Sequence, residues 1–148
     1  MIASCTIEDR SPDGTRRDED EIRAVVTAYY RGLADRNWPE ARALFWDSAL
    51  VSVGSSANAR AFPTPDAFGQ HLAVLPAGNA TNPLRAVRID ARQEGDIAGA
   101  WAETRGTGVD GRPAPGPTDH FVLRRMESAW RIIALTSSGT AAPRPMRE

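Results

Sequence analysis

Lysine is absent from this sequence, and cysteine and histidine are nearly so. All 18 basic residues are arginine. Without a side-chain amine the chain cannot form a Schiff base, anchor pyridoxal or complete a Walker-type phosphate loop. Cys5 is the only cysteine, so no internal disulfide can form. Zinc needs three or four ligands, usually histidine or cysteine, and His71 and His120 lie far apart in the sequence. We therefore expect no metal site.

Long apolar runs and an excess of one charge are also missing. No stretch approaches the roughly 18 apolar residues of a membrane span, and the net charge is −1 with the arginines spread along the chain. These features predict no membrane insertion and no nucleic-acid partner. Residues 2–5 are similar to a lipoprotein cleavage site, but only Met1 precedes them, whereas such a site follows about 7 to 15 apolar residues. We therefore expect a cytoplasmic protein.

A chain of 148 residues with 41% hydrophobic and 25% charged residues has the size and composition of one globular domain. We expect a mobile N-terminal tail over residues 1–17, a single domain over 18–138 and a C-terminal tail over 139–148.

Helical patterns fill most of the first half of that domain. Residues 18–21 offer an N-cap and a glutamate three positions later, and apolar residues then repeat at helical spacing, which predicts a first helix over 19–35. Pro39 is typical of the first turn of a second, short helix, which we expect to include residues 43–45. Residues 64–66 predict the start of a third helix, with Phe68, Leu72 and Leu75 on one face and an end near residues 76–78.

Strand patterns separate these helices and fill the second half. Residues 49–53 predict the first strand, and 54–63 are expected to be irregular. The alternation then has a period of two, which predicts strands over 85–92, 97–107, 119–126 and 130–138. Residues 109–117 form a Gly/Pro-rich loop. We expect these last four strands to make an antiparallel meander.

This order resembles the SnoaL-like members of the NTF2-like superfamily. The matching stretches are residues 21–26 with Tyr29, 41–45 leading into 50–53, 121–125 and 130–133. The resemblance implies an α+β cone, in which three N-terminal helices pack on a curved antiparallel sheet that encloses one pocket. The superfamily includes polyketide cyclases, steroid isomerases, dehydratases, epoxide hydrolases and inert association or binding domains, so the fold does not choose the function.

The spacing G-x-G-x-x-G over Gly106 to Gly111 is that of a dinucleotide-binding loop. Such a loop works only when a helix follows it, and the proline-rich residues 112–117 prevent an immediate helix. We therefore interpret it as a hairpin loop and expect no nicotinamide, flavin or other cofactor.

Three residues are candidates for acid/base chemistry. Asp119 shares a strand face with Phe121 and Leu123, whereas His120 points to the other face, and an apolar setting raises a carboxyl pKa toward proton transfer. The alternative is a solvated residue that ends the preceding loop. His71 borders the apolar face of helix three and is either an acid/base at the cavity mouth or a half-buried, hydrogen-bonded side chain.

Tyr29 is the third candidate, on the apolar stripe of helix one. The resemblance implies an oxyanion role, because a tyrosine matching Tyr29 has that role in the steroid-isomerase branch. The sequence departs from that branch in its first strand, where residues 50–53 offer no carboxylate base. The alternative is that Tyr29 is a core residue. Further candidates for contact with a substrate are Tyr30, Trp46, Trp101, Glu103 and Phe121.

The function that fits these features best is a cofactor-independent biosynthetic enzyme. It would act on a small, largely apolar molecule by general acid/base catalysis, as a cyclase, isomerase or dehydratase. The alternative is a domain that binds a small molecule or associates with a partner without catalysis. Because residues 132–135 are apolar at four consecutive positions, both faces of the last strand need cover, which predicts a homodimer built on the sheet.

Overall fold

The computed structural model describes residues 12–54, 57–74, 84–108 and 110–140, with side chains given from Arg16 to Ser138. Three helices and six strands lie within these ranges. They are α1 (Pro12–Ala34), α2 (Trp38–Arg42), β1 (Phe45–Val53), β2 (Arg60–Phe62), α3 (Pro65–Ala73), β3 (Arg85–Glu94), β4 (Ile97–Thr107), β5 (Pro113–Met126) and β6 (Ala129–Thr140). Within the described residues, no helix has both the length and the apolar character needed to cross a membrane.

All six strands form one sheet in the order β2-β1-β6-β5-β4-β3. The predicted meander is present, since β3 to β6 pair antiparallel in chain order. The expectation of an antiparallel sheet throughout was wrong at one place, because β1 pairs parallel with β6. The sheet is therefore mixed. Register shifts in four of the five strand pairs are irregularities of the kind that bend and twist a sheet.

Alternation along β4 gives the sheet two different faces. Ala98, Ala100, Ala102 and Thr104 are buried, and Trp101 and Glu103 between them are exposed. The face that carries the alanines, called the inner face below, also carries Phe121 and Leu123 of β5, which pair with Ala100 and Ala98. The other face is called the outer face.

Helix α1 covers the inner face and contacts β3, β4 and β6. Its buried side chains are Ile22, Val26, Tyr29 and Tyr30, which repeat at the predicted helical spacing. Arg125 of β5 forms an ion pair with Asp18 at 2.7 Å, which ties the helix to the sheet. The helix begins at Pro12 rather than near residue 19, so residues 12–17 are helical where a tail was expected. Residues 1–11 and 141–148 lie outside the described ranges.

Helix α2 is shorter than expected. The Asn37 side chain caps it by accepting a hydrogen bond from the Glu40 amide. Phe45 is not part of the helix, because it already pairs with Ile132 of β6 and thereby starts β1. Residues 45–48 therefore belong to the strand and not to the helix. A second difference is β2, which lies within the region expected to be irregular and pairs with the end of β1.

Helix α3 begins as predicted, with Thr64 as its N-cap and Pro65 in its first turn. It packs through Phe68 against the Trp38 ring at 5.6 Å between centroids. A Cβ atom at Gly69 would lie 2.0 Å from Nε1 of Trp38, so only glycine allows this approach. The helix ends at Ala73, with Val74 as its C-cap, earlier than the expected end near residues 76–78. Leu75 lies outside the described residues.

A register shift in β6 explains its apolar run. Ile132 pairs with Leu123 and Ala134 with Val122, so Ile133 is an extra residue between them. The bulge lets Ile132 and Leu135 both lie buried in the core, although simple alternation would put them on opposite faces. Four consecutive apolar residues therefore do not prove that both faces of β6 are covered. Ile133 and Ala134 are half-buried.

Candidate active site

A buried hydrogen bond joins helix α1 to strand β5 beneath it. The Tyr30 hydroxyl donates to Oδ2 of Asp119, with 2.5 Å between the two oxygens. Tyr30 reaches this position because it is on the buried side of α1, and Asp119 because it pairs with Ala102 on the inner face. Asp119 is only 5% exposed. A carboxyl group and a phenol thus meet in an environment from which water is largely excluded.

The surroundings of Asp119 favour its neutral form. Burial raises the pKa of this carboxyl above its usual 3.8, and the hydrogen bond from Tyr30 opposes this with a smaller lowering effect. Ser137, directly opposite on β6, also lowers the pKa, although it lies outside hydrogen-bond geometry for Oδ1. Among the described residues Oδ1 has no hydrogen-bond partner. A buried charged oxygen without a partner is costly, which favours the protonated form of this group.

Tyr29 and Phe121 complete the walls of this group. The Tyr29 ring meets Tyr30 and Phe121 edge to face, at 5.1 and 5.4 Å between centroids. Burial and the nearby Asp119 carboxylate raise the pKa of both tyrosines. Both phenols therefore keep their protons at neutral pH and can act as hydrogen-bond donors.

Two polar residues of the inner face were not among the predicted candidates. Ser137 faces Asp119 from β6, and Thr104 is buried, with its hydroxyl donating to the carbonyl of Pro117 at 2.5 Å. Thr104 is two residues after Ala102 in β4, so strand alternation places both on the same face. Because Ala102 pairs with Asp119, this is also the face of Asp119. Ser137 is harder to place, because the bulge at Ile133 changes the alternation along β6.

A cavity of about 220 Å³ lies beside Tyr30, between the last turns of α1 and the start of β3. Its lining residues are Thr27, Tyr30, Arg31, Ala34, Leu84, Arg85 and Ala86. The four helical residues recur at intervals of three and four, so they form one face of α1. Tyr30 therefore lines this cavity and also donates its hydroxyl proton to Asp119.

His71 belongs to a different cluster from Asp119. Its ring stacks obliquely on Phe62 at 5.0 Å between centroids, and its Nδ1 lies 3.4 Å from a guanidinium nitrogen of Arg60. Both partners come from β2, at the edge of the sheet remote in strand order from β5. The described contacts of His71 are therefore with β2 and do not bring it together with Asp119 on β5.

The predicted aromatic walls are divided by the sheet. Phe121 is on the inner face, but Trp101 and Glu103 alternate with buried alanines and lie exposed on the outer face. There Trp101 stacks on His120 at 4.2 Å between ring centroids. The expectation that Trp101 and Glu103 line one pocket with Asp119 is therefore corrected by strand alternation.

Trp46 is also exposed and lies on a separate surface cavity. That cavity has a volume of about 550 Å³, and its lining includes Arg42 and Arg131. Arg42 is held there by Asp66 and Asp47, at 2.8 and 2.9 Å. Trp46 is thus separated from the Asp119 group, contrary to expectation, because β1 begins at Phe45 and turns the next side chain outward.

The glycine-rich loop leads into a strand. The Gly108 amide donates to the Arg112 carbonyl at 2.7 Å, and Gly111 has a left-handed φ of +77°. Strand β5 follows from Pro113, so no helix N-terminus is available at this place for a pyrophosphate. Within the ranges that the structure describes, no group of three or more potential ligands could hold a metal ion.

A family model for the SnoaL-like domain matches residues 15–136 of the chain. This match extends from the first described turns of α1 to β6 and includes Tyr30 and Asp119. No curated protein matches the chain in sequence.

Solved structures with the same architecture share little sequence with this chain. An NTF2-like protein with a cystatin-like fold from Novosphingobium aromaticivorans is 14% identical, with a TM-score of 0.68 and coverage of 88% of this chain and 90% of that one. The β subunit of a proposed aromatic-ring-hydroxylating dioxygenase from the same species is 18% identical, with a TM-score of 0.64 and coverage of 86% and 92%.

A proposed calcium/calmodulin-dependent protein kinase II association domain from Xanthomonas campestris is also similar. It is 17% identical, with a TM-score of 0.60 and coverage of 81% of this chain and 86% of that one. At such identities these structures show a common fold, and their different descriptions agree with the rule that one fold serves many functions.

Proposed function

Because this chain belongs to the SnoaL-like domain family, we propose that it is a cofactor-independent enzyme that moves a proton on a small, largely apolar molecule. The reaction class is cyclisation, isomerisation or dehydration within a biosynthetic pathway. Asp119 is the general base and acid, Tyr30 is its hydrogen-bonded partner, and Tyr29 lies beside them as a second phenol donor.

The hydrogen bond between Tyr30 and Asp119 carries this proposal. A carboxylate in a structural ion pair would have its pKa lowered by a cation, whereas burial raises the pKa of Asp119. The raised pKa brings a carboxyl group nearer to the pH at which it can both accept and release a proton. Its free Oδ1 supplies the atom that would take the proton, while Tyr30 holds Oδ2 in place.

The phenols supply the complementary part of the chemistry. When a base removes a proton next to a carbonyl group, negative charge develops on the carbonyl oxygen. A donor that is fixed in a dry site stabilises that charge. Tyr29 is such a donor, because it keeps its proton and its ring is fixed by edge-to-face packing, whereas the Tyr30 proton is used in the hydrogen bond to Asp119.

A test of the proposal needs a substrate whose reaction requires only a base. The probe is 5-nitrobenzisoxazole. Removal of its C3 proton forms a nitrile as the ring N–O bond breaks, and the electron pair of that bond goes to the oxygen, which becomes the phenolate of the same molecule. We expect the wild-type protein to open this ring about 10²-fold faster than Asp119→Asn. The matched control is Asp90→Asn, which removes an exposed carboxylate on β3 and should leave the rate unchanged.

Two results would decide against catalysis. Equal rates for the wild type and a folded Asp119→Asn variant would remove Asp119 from the chemistry. Binding of the probe without any turnover would favour the alternative function, a domain that binds a small molecule without transforming it.

The chain is further proposed to act as a homodimer joined through the outer face. The support is apolar surface: Leu50 of β1 and Trp101 of β4 are 51% and 55% exposed. Between them in the sheet order lie Ala134 and Val122, both half-buried. A two-fold axis would cover the same patch on both copies at once.

A further inference from the structure

The cavity beside Tyr30 has a one-sided distribution of charge. It is lined by two arginines, Arg31 and Arg85, and by no acidic residue among those described. Arg85 pairs with Arg105 across the sheet. Because Arg105 is the exposed residue after the inner-face residue Thr104 in β4, this pair projects from the outer face, and Arg31 is the cation on the helix side of the cavity.

Arg31 is the cation that is best placed to bind an anion in this cavity. It is one position after Tyr30 and shares with Thr27 and Ala34 the helical face that lines the cavity. Its side chain is exposed. Neither Arg31 nor Arg85 forms an ion pair within the described part of the chain, although six other pairings use Arg17, Arg23, Arg42 or Arg88. The guanidinium of Arg31 is thus available to an incoming carboxylate.

The rest of the lining is small and apolar. Ala34 and Ala86 leave open space, and Leu84 supplies an aliphatic wall. The volume of about 220 Å³ is below the range of about 300 to 1,000 Å³ that drug-sized ligands occupy. A molecule of this size has one ring or a short branched chain.

We infer that the substrate is a small monocarboxylic acid, whose carboxylate binds Arg31 at the cavity mouth while its apolar body lies against Tyr30. The inference rests on the proposed function, since it takes this cavity as the approach to Asp119. Planar guanidinium and carboxylate groups match in bidentate geometry, which orients as well as attracts the ligand. The reacting carbon then points away from the anchored end, toward the phenol that holds Asp119.

The test compares two probes of one shape and different charge, phenylacetate and phenylacetamide, by NMR titration at millimolar concentrations. We expect wild-type protein to bind the acid about fivefold more tightly than the amide, the upper range for a partly exposed ion pair. Arg31→Gln should bind both probes equally. Arg36→Gln is the matched control, because it removes an arginine just past α1 that does not line the cavity, and it should keep the preference. Added salt should weaken the preference in the wild type.

Three results would overturn the inference. They are equal binding of the two probes by the wild type, a preference that persists in Arg31→Gln, and the absence of binding by either probe. The Asp119→Asn variant separates this inference from the proposed function, because it should keep the preference for the acid. A preference that depends on Arg31 without Asp119-dependent ring opening would therefore refute catalysis and leave the carboxylate site standing.

Discussion

The hydroxyl of Tyr30 on α1 lies 2.5 Å from Oδ2 of Asp119 on β5, so a helix near the start of the chain and a strand near its end share one buried polar contact. Replacement of Tyr30 by phenylalanine removes the donor and leaves Oδ2 buried without it. We expect Tyr30→Phe to lower the free energy of unfolding by about 1 to 3 kcal/mol at neutral pH, measured by urea denaturation.

Tyr29→Phe is the matched control for this change. Tyr29 lies in the same helix and is equally buried, but its hydroxyl makes no hydrogen bond to a described residue. Its loss should therefore cost less than that of the Tyr30 hydroxyl. Equal costs for the two variants would mean that the contact with Asp119 adds nothing to stability.

The same contact predicts a change in the pH dependence of catalysis. The Tyr30 hydrogen bond lowers the pKa of Asp119, because it stabilises the carboxylate. In Tyr30→Phe only the raising effect of burial and the smaller effect of Ser137 remain. The midpoint of the pH–rate profile for 5-nitrobenzisoxazole should therefore move to higher pH than in the wild type. A midpoint that moves down, or stays, would show that another group controls the rate.

Stability should depend on pH through the same carboxyl group. The pKa of Asp119 is raised in the folded state, so the folded protein keeps this proton at pH values where the unfolded chain has lost it. The contribution of Asp119 to stability is therefore full below its usual pKa of 3.8 and falls as the pH rises through the folded value. We expect the wild type to lose stability relative to Asp119→Asn over that window.

Thermal unfolding of both proteins from about pH 3 to about pH 8 measures this difference. Other carboxyl groups, such as Asp66, whose pKa Arg42 lowers, cancel in the comparison. A difference between the two proteins that does not change with pH would mean that the pKa of Asp119 is not raised by folding.

Close packing between α2 and α3 gives a third kind of test. A Cβ atom at Gly69 would lie 2.0 Å from Nε1 and 2.5 Å from Cε2 of Trp38. The Trp38 ring is also packed against Phe45 and Phe68, so it cannot move freely. Gly69→Ala should cost about 1 to 3 kcal/mol from overpacking, more than the helix propensity of alanine, about 1 kcal/mol, can offset.

The double variant with Trp38→Phe checks the cause of that loss. Phenylalanine lacks Nε1 and the five-membered ring, whose atoms Nε1 and Cε2 a Cβ atom at Gly69 would meet most closely, so the two changes together should cost less than the sum of their separate costs. Gln70→Ala, an exposed change in the same helix, serves as the control for propensity. Additive costs would mean that Gly69→Ala destabilises the protein for a reason other than contact with Trp38.

Local sequence patterns predicted the face of Asp119 but not that Trp101 and Glu103 lie on the opposite face of the sheet. Asp119 could be assigned to the face of Phe121 and Leu123 because period-two alternation is a local property of β5. Trp101 and Glu103 also alternate, but their neighbours are alanines, which are small enough for either face. The choice of face depended on α1, which packs against β4 on the side where Ala100 and Ala102 are buried.

Long-range pairing explains the remaining differences. The parallel contact between β1 and β6 joins residues about 85 positions apart, as in the pair Leu50 and Ala134, and no local periodicity reports it. The same contact makes Phe45 a strand residue. The bulge at Ile133 likewise depends on the partner strand. Four consecutive apolar residues predict a strand that is buried on both faces, but burial on one face together with a register shift produces the same pattern.

The outer face supplies the last prediction, a homodimer. The bulge accounts for Ile132 and Leu135, whereas Leu50 and Trp101 are large apolar side chains on the outer face that are half exposed. Light scattering at micromolar concentration should give twice the 16.0 kDa mass of the chain. Trp101→Arg should shift the protein to the monomer, since two copies of the new charge would meet across a two-fold axis. Val74→Arg is the matched control, because Val74 is 78% exposed but lies at the end of α3, away from the sheet. A wild-type mass of one chain would contradict the dimer, and dissociation by Val74→Arg as well would show that added charge, not loss of the outer-face contact, separates the subunits.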